Sequence, residues 1–403
     1  MQLAIDGGVA VRNEPFAPWP YFAQDEIDAV TQVLSSGRVN YWTGDMCKRF
    51  EQAYAEYTGS QYAIALANGT LALELALYAL EIGAGDEVIV PSRTFIASAS
   101  CVVARGATPV IVDVDAVTQN LTVESMRAAV TPRTRAIIAV HLAGWPCDMD
   151  AIMAFAREHN LKVIEDCAQA HGATYKGRPV GSLGDMAAFS FCQDKIITTG
   201  GEGGMLLLND EVQCKKAWAY KDHGKSWDAV NLRQHPPGFR WLHESFGTNW
   251  RMTEMQAAIG LRQLAKLDDW RQKRQTHAQL LNAGLAHHEA LRLTVPPIGI
   301  GHAYYKYYAF LHLEKLKPDW DQARIVAAIN AEGVPCYTGS SSEIYRELAF
   351  VNQGLGPTQR LPVAQVLGET SLMFLVHPTL NDADMRDICR AVGKVMNQAT
   401  LAD

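Results

Sequence analysis

From residue 60 to residue 170, two rhythms of apolar and polar positions take turns. Short apolar runs of strand length occur in QYAIALANGT (61–70), DEVIVPS (86–92), TPVIVDV (108–114), TRAIIAVH (134–141) and LKVIEDCAQA (161–170). Between them, LALELALYALEIG (71–83), FIASASCVVARG (95–106), ESMRAAVTP (124–132) and MDAIMAFAREHN (149–160) read as helices. Strands alternating with helices of this length imply right-handed crossovers, hence an α/β fold with a mostly parallel sheet covered by helices on both faces. Upstream, Ile27, Val30, Val33 and Leu34 share one helical face ahead of a Ser-Ser-Gly stop at 35–37, and 50–57 reads as helix again.

Beyond residue 189 the rhythm changes. FSFCQD (189–194) and GGEGGMLLLND (200–210) predict two short strands around a glycine-rich loop. The Trp-, His- and Pro-rich stretch 227–250 is too irregular for a core element and predicts a surface excursion. A long helical pattern over 254–285 predicts one continuous strut into a second unit. That unit has strand patterns at YKYYAFLHL (305–313) and SLMFLVHP (371–378) and helical ones at 321–333 and 382–398. The expected organisation is a large α/β domain over 1–265 and a smaller C-terminal α+β domain over 266–403.

With 48% hydrophobic and 20% charged residues, the chain can bury a large core, which excludes disordered and fibrous classes. Acidic residues outnumber basic ones 43 to 36, and no Lys/Arg cluster stands against that balance, so neither nucleic acid nor an anionic membrane is expected as a partner. No window approaches ~18 uninterrupted apolar residues and the N-terminus lacks a basic-then-apolar leader, so the expected location is cytoplasmic. Eight cysteines without a CxxC pair or clustering read as buried thiols, with no metal site expected.

Three places could carry chemistry. Asn68-Gly69-Thr70 lies where a strand gives way to a helix, so free N–H groups, the helix dipole and the Thr hydroxyl favour an anion such as phosphate; the same residues also make an ordinary cap. Glu165-Asp166 ends an apolar strand, placing carboxylates at the edge where parallel sheets bind ligands; a protonated heteroaromatic nitrogen or a nearby Arg or Lys would partner an Asp there, and Gln169 could aim an amide at the same ligand. Ser190 precedes Lys195, which sits between a strand end and the run Gly200-Gly201-Glu202-Gly203-Gly204, where a lysine can be desolvated and form a Schiff base. The run lacks the GxGxxG order of a dinucleotide fingerprint. In chain order, these are the requirements of pyridoxal phosphate: a phosphate cradle, a counter-ion for the ring nitrogen and a lysine for the aldehyde.

The motifs Asn68-Gly69-Thr70, Pro91-Ser92-Arg93-Thr94-Phe95, Glu165-Asp166-Cys167-Ala168-Gln169-Ala170-His171-Gly172, Gly184-Asp185, Phe189-Ser190-Phe191, Lys195 and Gly247-Thr248-Asn249-Trp250-Arg251-Met252 resemble the DegT/StrS family of sugar aminotransferases, which have the fold type I architecture. The resemblance implies pyridoxal 5'-phosphate as cofactor, cycling through pyridoxamine 5'-phosphate. It implies that Lys195 forms the Schiff base and shuttles the proton, that Asp166 holds the ring nitrogen protonated, that Gln169 bonds the phenolic oxygen, and that Phe95 stacks on the ring. Gly69, Thr70 and Ser190 match the phosphate positions, and Asn249 matches a residue reaching the phosphate of the neighbouring subunit, which implies a homodimer with shared sites. An alternative for Asn249 is a local cap on the helix that begins near Thr253.

The implied activity is transfer of an amino group from glutamate or glutamine to a small-molecule keto sugar, nucleotide-linked, by a ping-pong cycle. A keto-cyclitol acceptor uses the same residues. A deoxysugar dehydratase of the same family typically has His in place of the lysine, so Lys195 argues against it, and a non-catalytic regulator has no candidate DNA-binding or partner segment here. Two segments depart from the commoner family pattern: Cys192-Gln193-Asp194-Lys195, where many members have aromatic-Pro-x-Lys, and CYTGSSSEIYRELAF at 336–350. Both lie where the acceptor is expected, which leaves the sugar open.

Overall fold

The apolar runs assemble into one seven-stranded sheet in a computed structural model that describes residues 2–401. In chain order its strands are β1 (Tyr62–Leu66), β2 (Glu87–Pro91), β3 (Thr108–Val112), β4 (Thr134–Val140), β5 (Lys162–Asp166), β6 (Met186–Ser190) and β7 (Gly204–Leu208). In space they run β1-β7-β6-β5-β4-β2-β3. β7 pairs antiparallel with β1 and β6, whereas the β6-β5-β4-β2-β3 pairings are parallel.

Both faces are covered. Val88, Val90 and Ile138 pack under Leu73, Ala76 and Val102 on one side, while Ile89, Ile137 and Val163 pack under Ile152 and Phe155 on the other. Strand side chains alternate between faces, so a strand buried on both reads as a continuous apolar run, as these do.

The pattern over 254–285 does not form one helix. It divides into Glu254–Leu264 and Leu267–Leu285. At the break Lys266 N–H donates to Gln263 O at 3.0 Å in a tight turn, and the Lys266 ammonium pairs with Asp25 at 2.7 Å and Glu26 at 2.8 Å on the first long helix. The helical periodicity of the sequence runs on across this break, so periodicity alone does not mark it. Asp268 and Asp269 then occupy the first turn of the second helix, where the dipole favours them.

The second unit is a four-stranded antiparallel sheet of β8 (Leu291–Leu293), β9 (Tyr307–Leu311), β10 (Cys336–Tyr337) and β11 (Ser371–Phe374), ordered β8-β9-β11-β10. The helices Gln322–Ala331 and Asp382–Ala399 pack on it. Leu3, Val11 and Phe16 belong to this second core, which a division at residue 265 does not anticipate. The Glu332 carboxylate ties them in by accepting from Ala4 N–H at 2.8 Å and Val11 N–H at 3.1 Å.

Candidate active site

The ends of β4, β5 and β6 open into a cleft of about 1170 Å³ whose wall includes Val140, Asp166 and Ser190 and is closed from the far side by Tyr305, Lys306 and Tyr308 of the second unit. Carboxyl ends of parallel strands are where such sheets bind ligands.

Asp166, the last residue of β5, is buried. Its Oδ2 accepts from the Ser98 hydroxyl at 2.7 Å and its Oδ1 from Ala168 N–H at 3.1 Å. Ser98 in turn lies 2.8 Å from the Thr94 hydroxyl, so the carboxylate is fixed through two hydroxyl groups. Glu165 points the other way. Its carboxylate accepts from His141 Nε2 at 2.9 Å and from the N–H groups of Gly181, Leu183 and Gly184, holding the 181–184 turn. Burial raises the Glu165 pKa, but His141 and these N–H donors outweigh it and hold the carboxyl below its ordinary value. The nearby Cys167 completes a buried His-Glu-Cys group, but Cys147 N–H donates to His141 Nδ1 at 2.9 Å, so both imidazole nitrogens are already engaged.

Gln169 is buried with its Oε1 accepting from Ala143 N–H at 2.8 Å, which leaves the amide NH₂ to serve the cleft. Ala143 adopts a left-handed φ of 57°, a strained geometry for a residue with a Cβ. Phe95 stands in the cleft with 64% of its surface exposed, a bare aromatic face beside Asp166 and Gln169.

At the head of the helix Gly69–Ala79, the Asn68 side chain accepts from Leu71 N–H at 3.0 Å, so Asn68 is the cap and Gly69 and Thr70 present their N–H groups outward. A Cβ on Gly69 would lie 2.6 Å from Ser190 Cβ. The glycine run has a similar origin: a Cβ on Gly204 would lie 2.2 Å from Asn68 O, so the run lets β7 pass against the Asn68 turn. Behind Ser190, His171 Nε2 donates to Ser190 O at 2.8 Å and His171 Nδ1 accepts from the Tyr54 hydroxyl at 2.7 Å. Burial lowers the His171 pKa to about 3, which fixes the neutral form that this donor–acceptor pattern needs.

Lys195 follows a tight turn in which its N–H donates to Cys192 O at 3.1 Å. Its carbonyl accepts from Trp19 Nε1 at 2.9 Å, so the N-terminal segment braces the loop from outside. The Lys195 ammonium lies 5.0 Å from the Tyr305 ring centroid, and the Tyr305 hydroxyl donates to Asp194. Burial raises the Asp194 pKa, but Lys195, the Tyr305 hydroxyl and Lys306 outweigh it and hold the carboxyl low.

Seven of the eight candidate residues, Gly69, Thr70, Phe95, Asp166, Gln169, Ser190 and Lys195, line this one cleft. Asn249 does not. It is exposed, and its backbone bridges to Asp222. It is not the cap of the next helix either, since Thr253 fills that position by accepting from Gln256 N–H. Sequence reasoning missed Ser98, Tyr305, Lys306 and Tyr308. The signal for Lys306 was present, because it is the one charged residue in the run Ala303–Leu311.

The model of the DegT/DnrJ/EryC1/StrS aminotransferase family matches residues 20–393. Over 381 residues the chain is 41% identical to the GDP-perosamine synthase of Caulobacter vibrioides, covering 94% of this chain and 97% of that protein. It is 34% identical over a 427-residue alignment to the L-glutamine:2-deoxy-scyllo-inosose aminotransferase of Streptoalloteichus tenebrarius, covering 98% of each. The solved structure of an aminotransferase from Psychrobacter cryohalolentis superposes with a TM-score of 0.94 at 58% identity, covering 95% of this chain and 99% of that one.

Proposed function

The chain belongs to the DegT/DnrJ/EryC1/StrS aminotransferase family, and from that premise we propose that it moves an amino group from glutamate or glutamine to a nucleotide-linked keto sugar, in a ping-pong cycle on pyridoxal 5'-phosphate. The observation that carries this reading is the convergence of Lys195, Asp166 and Gln169 on one cleft that has an aromatic face at Phe95 and a side-chain-free cradle at Gly69. Those residues fit the cofactor: the helix head that bears the Gly69 and Thr70 N–H groups can pack this closely on Ser190 only where residue 69 carries no Cβ, which gathers these donors and the Ser190 hydroxyl for an anion.

When bound, pyridoxal phosphate supplies an electron-withdrawing ring that acidifies the carbon attached to the transferred nitrogen. Asp166 is assigned to keep a proton on the ring nitrogen, with Ser98 and Ala168 N–H fixing its oxygens. Gln169 is assigned to donate its free NH₂ to the phenolic oxygen, and Phe95 to cover one ring face. Lys195 is assigned to take the proton from the substrate carbon and return it one position along, as a general base and then acid.

Asn249 is assigned to the phosphate of a second copy, making the working form a homodimer with shared sites. The excursion that precedes it supports this: Phe239, Trp241 and Phe246 are 78%, 85% and 97% exposed, an apolar surface that a lone chain leaves uncovered. A keto-cyclitol acceptor is the second reading, favoured by the likeness to the inosose aminotransferase. Among the described residues, no helix is long and apolar enough to cross a membrane.

The test is a screen of the pyridoxamine-loaded protein against nucleotide-linked keto sugars and keto cyclitols, with glutamate and glutamine compared in the reverse half-reaction. Amination of a nucleotide-linked keto sugar is expected. Amination of cyclitols alone selects the second reading, and turnover of neither class refutes both.

A further inference from the structure

Lys306 is a cation without an assigned task. Its ammonium has no ion pair within 4.0 Å and no hydrogen bond among the described residues, although it stands in the wall of the cleft. It lies 4.7 Å from the centroid of the Tyr305 ring, the same ring that the Lys195 ammonium approaches at 5.0 Å. Nearby, Arg274, which is buried, donates to the carbonyls of Tyr304 and Tyr305 at 3.3 and 3.2 Å. Three cations thus share one neighbourhood with one carboxylate, Asp194, and that carboxylate already accepts the Tyr305 hydroxyl.

A lysine with only a packing role ordinarily carries its charge out to bulk water or into an ion pair. Lys306 is partly buried in the cleft wall, where its ammonium faces the cleft interior without an ion pair. Burial, with Arg274 and Lys195 adding repulsion against the attraction of Asp194, lowers its pKa to about 8. An incoming anion would relieve this cost. The phosphate cradle has its own donors at Gly69, Thr70 and Ser190, so the surplus charge around Tyr305 is left for another anion. In an amino acid the α-carboxylate is attached to the very carbon that bears the amine. A donor that delivers its nitrogen at Lys195 therefore brings a carboxylate to within a few bonds of it, the reach at which a second cation beside the same ring can act.

We propose that Lys306 is the carboxylate-recognition residue for the amino-acid donor, reading an anionic group of the donor beside the Tyr305 ring that Lys195 also approaches. This rests on the aminotransferase reading above and adds to it the residue that distinguishes donor from acceptor.

Two measurements test it. In the first, the donor and acceptor half-reactions of the holoenzyme are followed separately by the change in cofactor absorbance. Lys306→Met should raise the half-saturating glutamate or glutamine concentration by about 10–100-fold, the loss expected for one charge-assisted contact. It should leave that of the acceptor within about threefold, and Lys306→Arg should recover part of the loss by restoring the charge. In the second, calorimetry measures binding of glutarate, a dicarboxylate without an amine that cannot react. Glutarate should bind the holoenzyme and fail to bind the Met variant, while bound cofactor, read by its absorbance, is retained in both. Lys306→Gln repeats both measurements if the Met variant folds poorly. Unchanged glutarate binding, no glutarate binding to the unsubstituted enzyme, or a loss confined to the acceptor half-reaction would each overturn the assignment. If the enzyme transaminates nothing, the functional reading fails on its own, and the glutarate measurement still decides the role of Lys306.

Discussion

Glu165 and Asp166 are consecutive residues whose carboxylates face opposite sides of the sheet: one accepts from His141 at 2.9 Å and fixes the 181–184 turn, the other accepts from Ser98 at 2.7 Å inside the cleft. The two-residue period of the strand separates a scaffold acid from a candidate catalytic acid. Asp166→Asn is expected to keep the cofactor, read by its absorbance, and to lower turnover by about 10²–10³-fold, the scale of a lost preorganised charge. Glu165→Gln is expected instead to lower the unfolding midpoint. Near-normal turnover in Asp166→Asn would remove the electron-sink role.

Borohydride reduction followed by peptide mapping is expected to fix the cofactor to Lys195. Lys221 has no surface exposure and Lys176 is paired with Asp150 at 2.7 Å, so neither competes. Lys195→Ala should lower transamination by about 10³-fold or more while leaving the fold intact by circular dichroism. A label on any other lysine contradicts the assignment.

Gly69→Ala should weaken the cofactor rather than the fold alone, since its Cβ would sit 2.6 Å from Ser190 Cβ in the cradle. Overpacking of this kind costs about 1–3 kcal/mol of stability, and the displacement of Ser190 that relieves it should raise the cofactor Kd. Titration of the apoenzyme with pyridoxal phosphate gives that constant directly, and an unchanged value would place the phosphate elsewhere.

Stability should fall in acid because of buried neutral histidines. His171 faces the Tyr54 hydroxyl, Ser190 O, Phe189 and Phe191, with Lys195 and Arg274 adding unfavourable charge, and its pKa is lowered to about 3. Burial does the same to His302 and His377. A depressed pKa means that the unfolded chain binds protons first, so the contribution is complete above about pH 6.5 and is lost as pH falls towards 3, at up to about 1.4 kcal/mol per pH unit for each histidine. Urea unfolding at pH 7, 6, 5 and 4 should show this slope. His171→Gln, which keeps an N–H donor for Ser190 O, should flatten it.

Mixing Lys195→Ala chains with Asn249→Glu chains should restore activity that neither has alone, because one of the two sites in each heterodimer is then built from intact parts. If heterodimers form, verified by a mass tag, and remain inactive, the shared-site assignment of Asn249 fails.

The sheet was legible because its strands are buried on both faces and so read as unbroken apolar runs, and the sheet-edge site was legible because Gly69, Asp166, Gln169 and Lys195 lie in or beside those runs. What escaped reading depends on distant partners. The break at Ala265–Lys266 coincides with an ion pair to Asp25 and Glu26, about 240 residues away in sequence, a contact that local periodicity does not encode. Tyr305 and Lys306 enter the cleft from the second unit, so nothing beside Lys195 in sequence announces them. Ser98 looked like one small residue among several in a helix, and only the fold places its hydroxyl against Asp166.

The brace from Trp19 to the Lys195 carbonyl has a consequence for synthesis. The segment carrying Trp19 is anchored through Arg12, whose guanidinium pairs with Asp384 at 2.6 Å across 372 residues of chain, and through Val9 O, which accepts from Lys394 at 2.7 Å. Those partners are synthesised more than 370 residues after the segment they anchor. At ~5–20 residues per second, residues 9–19 wait roughly 20–75 seconds for them. The cradle and carboxylate of the cleft can be in place well before, but the loop that presents Lys195 receives its outer support only once the C-terminal helix is made. A nascent or truncated chain without that helix would therefore hold the parts for binding cofactor before it holds the lysine in its working position.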